Sequence, residues 1–105
     1  MIGLAMLLLA DFAVFQTGHD LAATCKKDRA ACVRYVEGAS DMISSLQAMK
    51  SIPTNVCLDP AASTTQLADI TTGFLAENPE ALDDPAGKLV WAALYGAFPC
   101  SNKGP

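Results

Sequence analysis

Apolar residues recur along this chain at intervals of three and four, and no stretch alternates apolar and polar positions as a half-buried strand would. The clearest run follows Asp28, whose short carboxylate suits a helix N-cap. From there Cys32, Val36, Ala39, Ile43 and Leu46 fall on one stripe of a helix that ends between Lys50 and Pro53. Gly38 interrupts that helix at a cost of about 1 kcal/mol relative to alanine, and close approach of a neighbouring helix is the expected compensation. Pro53, Asn55 and Pro60 punctuate a loop over residues 51–60. Ser63-Thr64-Thr65-Gln66 then makes a capping box, opening a helix with Leu67, Ile70, Phe74 and Leu75 turned inward. That helix stops near Asn78-Pro79. Asp84-Pro85 starts the last helix, with proline at its first helical position, and Leu89, Val90, Ala93, Leu94, Ala97 and Phe98 form its apolar face. A short helix from Gly18 to Cys25 precedes these three, with Asp20 near its positive end. The pattern predicts an all-α fold, a small bundle of three longer helices and one short helix.

Composition narrows the setting. A chain of 105 residues has the length of one domain. With 51% apolar and 17% charged residues it can bury a core and is not a disordered tail. The net charge of −4 argues against nucleic acid as a partner, since phosphate neutralisation needs a basic face. Met1–Ala10 is apolar but shorter than the ~20 residues of a bilayer span. Residues 1–15 therefore read as a signal peptide and residues 16–105 as the helical domain. The leader is irregular: no Lys or Arg precedes the apolar run, and Asp11 interrupts it. A buried first helix is the alternative for this stretch. Export to the periplasm is the expectation.

Cys25, Cys32, Cys57 and Cys100 fit that compartment. No two of them form a C-x-x-C pair, which argues against a zinc site or a thioredoxin-like motif, and two disulfides are the reading. Two pairings stay open. Cys25 and Cys32 flank one helix turn while Cys57 and Cys100 fall at one end of an antiparallel pair, favouring Cys25–Cys32 with Cys57–Cys100. Cys25–Cys100 with Cys32–Cys57 is the other. Either makes a disulfide-stapled bundle.

Candidate chemistry is sparse. A cysteine or serine nucleophile needs a histidine, and His19 is the only one. It reads as an exposed residue near a helix start. Asp83 and Asp84 read as a solvated helix cap, and no glycine-rich phosphate loop occurs. The expectation is a protein without catalysis, metal or cofactor. Lys26, Lys27 and Arg29 read as a solvated cluster opposing the first helix's negative end. Met42 and Met49 with Tyr35 read as core, with a dimer face as the alternative. The segment Glu77-Asn78-Pro79-Glu80-Ala81-Leu82-Asp83-Asp84-Pro85 holds four acids and no base, stiffened by two prolines. Stiff loops lose less entropy on docking, although an ordinary helix connection has the same composition.

Several segments in order carry a resemblance: T-G-H-D-L-x-x-x-C from Thr17, A-C-V-R-Y-V-E-G from Ala31, V-C-L-D-P from Val56, then Gln66-Leu67 after its capping residues. F-L-x-E-N-P-E from Phe74 and L-V-x-A-A-L-x-x-A-F-P-C ending at Cys100 complete it. From Thr17 to Cys100 the chain resembles the Rap/Tai family, immunity proteins of type VI secretion amidase effectors. The resemblance implies a periplasmic, disulfide-bonded helical protein, often a homodimer, that binds a peptidoglycan-cleaving cysteine amidase and blocks it. It also implies that the third helix and the loop after it enter the amidase cleft. On this chain that surface is Glu77, Asn78, Glu80, Leu82, Asp83 and Asp84, with the polar face of Thr64 to Asn78. A small periplasmic chaperone or envelope-stress protein of acid-protective type is the alternative, and it would loosen and expose apolar surface at low pH.

Overall fold

Asp28 closes one helix and opens the next: its N–H donates to Thr24 O at 2.8 Å and its carboxylate accepts from Ala31 N at 3.1 Å. The computed structural model describes residues 13–101, and residues 1–12 of the expected signal peptide lie outside the described residues. Among the described residues four α-helices run in order, α1 (Gly18–Lys27), α2 (Arg29–Ala48), α3 (Thr64–Glu77) and α4 (Ala86–Ala97). One 3-10 turn, Pro79–Ala81, stands between α3 and α4. Among the described residues no helix is long and apolar enough to cross a membrane. The capping box at α3 forms as its sequence requires, Ser63 Oγ accepting from Gln66 N at 3.1 Å and Gln66 Oε1 from Ser63 N at 2.8 Å. A second box opens α1, between Thr17 and Asp20. The basic residues Lys26 and Lys27 occupy the last turn of α1, where cations favour the unpaired carbonyls.

The core gathers Leu21 from α1, Val36 from α2, Leu67 and Leu75 from α3, and Leu89, Val90 and Leu94 from α4. On α2 the buried stripe is Cys32, Val36, Ser40, Ile43 and Gln47, so two polar residues are inside while Ala39 and Leu46 are only half-buried. Both polar side chains are satisfied. Ser40 Oγ donates to Val36 O at 2.7 Å. Gln47 accepts from Asn55 N at 3.2 Å and Val56 N at 3.0 Å, and donates to Val56 O at 2.9 Å. It pins the returning loop to the end of α2.

Two disulfides close, Cys25–Cys32 with Cα atoms 4.7 Å apart and Cys57–Cys100 at 4.9 Å. The first ties the α1–α2 elbow. The second joins the loop before α3 to the segment after α4, beside the Val56–Pro99 bridge. Their sequence separations are 7 and 43 residues. Loop-closure entropy assigns such bridges about 2.5 and about 4 kcal/mol.

Four expectations change. A Cβ on Gly38 would meet nothing within 4 Å, so no helix packs closely there. Met42 and Met49 are exposed at 57% and 64%, because they project from the solvent side of α2. Pro85 is the N-cap of α4, not its first residue, held extended by its bridge to Thr17, and Asp84 does not cap the helix. Ile70 is only half-buried and Ala97 is exposed, whereas Ala68 and Thr71 are buried.

Candidate functional site

Residues 77–85 wind tightly. Asn78 ends α3, and its Nδ2 donates to Phe74 O at 2.8 Å. Pro79 leads the 3-10 turn, Ala81 N donates to Asn78 O at 2.9 Å, and Asp84 N donates to Ala81 O at 3.0 Å. The start of α1 then clamps the loop from outside. Gly18 N donates to Asp84 O at 2.9 Å, His19 N to Leu82 O at 3.0 Å, and Ala86 N to Gln16 O at 2.9 Å. Two otherwise unpaired donors of α1 and the first donor of α4 are satisfied by this crossing. The approach leaves no room for a side chain. A Cβ on Gly18 would collide with Leu89 Cδ1 and lie 2.8 Å from Leu82 Cα.

This clamp fixes how the expected contact residues are presented. Glu77, Glu80 and Asp83 are exposed, and Asp84 is half-buried. Asn78 and Leu82 are half-buried, Asn78 serving as a helix cap and Leu82 packing on the core. The fold brings bases to two of the four acids. His19 Nε2 lies 3.1 Å from Asp83 Oδ1 and Lys88 Nζ 3.2 Å from Asp84 Oδ2. Among the described residues Glu77 and Glu80 have no ion-pair partner, so their charge faces water uncompensated. Asp20 titrates below the ordinary aspartate value, chiefly because Thr17 N–H donates to it at 3.0 Å, with the Thr17 hydroxyl adding a second bond.

Sequence patterns did not disclose a groove of about 530 Å³ beside the loop, between α1 and α3. Ala22, Ala23, Leu75, Ala76, Pro79 and Leu82 line it, with Thr72 and Lys26. The alanines on facing helices were the available signal. A second apolar surface lies across α2 and α4, where grooves of about 540 and 370 Å³ share Ile43 and Leu46. Tyr35, Gly38 and Met42 line the larger groove and Trp91 the smaller. Trp91 stacks on Tyr95 with ring centroids 5.2 Å apart. Burial of Tyr35 pushes its phenol pKa up.

Chemically, the loop can present charge and shape. All four cysteines are committed to bridges. Among the described residues no group of three or more His, Cys, Asp or Glu is placed to hold a metal ion. The family model of the Rap1a immunity proteins matches residues 17–100, the span from the N-cap of α1 to the last cysteine. No curated protein and no solved structure matches the chain.

Proposed function

Because the chain belongs to the Rap1a immunity proteins, with the immunity function against a secreted effector that this family implies, we propose that it is a non-enzymatic inhibitor of a peptidoglycan-cleaving cysteine amidase. The amidase is an effector of a type VI secretion system, and the encounter takes place in the periplasm, where the two disulfides persist. The loop at residues 77–84 enters the amidase cleft and excludes substrate by occupying it. A catalytic thiolate paired with histidinium offers positive charge in a sheltered site, where carboxylates gain more Coulomb energy than in water.

The observation that carries this reading is the clamped loop with uncompensated Glu77 and Glu80. The clamp holds the loop in one shape before docking, which reduces the ordering cost of association. The chain acts as a homodimer through the apolar α2–α4 face, whose lining includes none of the loop's carboxylates and leaves Glu77 and Glu80 free. The test measures binding of a peptidoglycan-cleaving cysteine amidase effector, purified as a catalytically dead variant. Glu77→Lys with Glu80→Lys is expected to weaken affinity at least tenfold, mainly through slower association, and to flatten its salt dependence. Unchanged affinity and salt dependence would remove the loop from the interface.

A further inference from the structure

The groove between α1 and α3 borders the loop closely. Pro79 and Leu82 belong both to the loop and to the groove wall, so the clamp holds the two surfaces as one body. Its depth comes from alanines: Ala22 and Ala23 on α1 face Ala76 on α3, with Leu75 packed into the core beneath. Its volume, about 530 Å³, falls in the range of sites that take a small molecule or a large side chain.

The charge around it is unequal. Glu77, Glu80 and Asp83 each directly follow a lining residue, Ala76, Pro79 and Leu82, and all three are exposed. Against them stand Lys26 in the groove's α1 wall and His19 beside Asp83. The loop side of the groove is therefore negative and its interior apolar.

We propose that this groove is an anchor pocket for one apolar side chain of the effector, carried on a segment with Lys or Arg beside it. The apolar group fills the space the alanines leave, and the basic neighbour meets Glu77 and Glu80. The inference rests on reading the loop as the effector-facing surface, and adds the chemistry of what is recognised. Charge argues against the same surface of a second copy as occupant, because it would bring Glu77, Glu80 and Asp83 against the same carboxylates at this rim. Buried apolar anchors ringed by polar contacts carry most of the energy of such interfaces.

The test fills the groove without altering charge. Ala23→Tyr and Ala76→Tyr sit on different helices at exposed positions, so each stands as a folding control for the other; Ala48→Tyr, exposed at the end of α2, is the size control. Binding of the dead amidase is measured at two salt concentrations, beside the Glu77→Lys, Glu80→Lys pair. Each filled variant is expected to bind at least 30-fold more weakly through faster dissociation, with the parent's salt dependence and melting temperature, while Ala48→Tyr binds as the parent. A loss under threefold in both filled variants, with the charge-reversed pair still weakened, overturns the anchor pocket and leaves the loop reading standing. No loss in any variant overturns both. A loss in the filled variants alone overturns the basic neighbour and with it the loop reading, and a change in oligomeric state on filling assigns the groove to a second copy and overturns the proposal.

Discussion

Gly18 and Gly38 are both helical, and the molecule treats them in opposite ways. At Gly18 the missing side chain lets the backbone of α1 touch Leu82. Alanine there must push the loop away or shift Leu89, a kind of overpacking that costs about 1–3 kcal/mol. At Gly38 a Cβ enters open space on an exposed helix surface. Alanine there is expected to add up to about 1 kcal/mol by restricting the unfolded chain and favouring helix. Urea denaturation of Gly18→Ala and Gly38→Ala should therefore shift the midpoint in opposite directions. A neutral Gly18→Ala would mean that the clamp does not hold the loop. Gln47 shows another side of this scale: a polar residue buried because its amide replaces the pairing partners that residues 55–56 would otherwise lack.

Among the described α-helices α1 is the shortest, yet its N-terminus holds the loop, and its capping box is sensitive to acid. The Thr17 bonds hold the Asp20 carboxylate below its ordinary value. A pKa lowered by folding adds stability above the unfolded-chain value, and that stability is lost as pH falls through the folded one. The stability of the parent should thus decline as pH drops below about 4, where carboxylates take up protons. Asp20→Asn, measured by denaturation from pH 7 to pH 3, should be less stable at pH 7 and show a shallower decline. Equal slopes would take Asp20 out of the acid response. Elements with local causes were legible in the sequence: Asp28 and the Ser63–Gln66 box bond residues three apart, so the local letters suffice. The clamp was not, because His19 and Asp83 are 64 residues apart and only the fold sets them 3.1 Å from each other. Nor could periodicity distinguish a covered stripe from a bare one. It placed α2 in the bundle but turned Ala39 and Leu46 inward where Ser40 and Gln47 are buried, and it left Met42 and Met49 in a core that does not reach them.

At the scale of the molecule the surface divides into an acidic end and an apolar flank. Met42, Tyr35 and Trp91 with its stacked Tyr95 place large apolar side chains across α2 and α4. Contiguous apolar surface of this kind marks an interaction site more often than a free monomer surface. Sedimentation of the parent is expected to report a dimer that Met42→Glu converts to monomer with unchanged helicity. A parent that stays monomeric at high concentration would remove this face from the proposal. The acidic end is the better fixed of the two, since its backbone is bonded from both sides.

The crossing of residues 16–18 over 82–86 also sets how short the amino-terminal side can be made before the loop loses its support. Among the described residues, none before Gln16 contributes a backbone bond that shapes the loop. Removing Gln16 takes the carbonyl that receives Ala86 N–H, and removing Thr17 takes the cap of α1. Loss of residues 13–15 leaves these bonds in place, and loss of Gln16 opens the crossing from a point some seventy residues away in the chain.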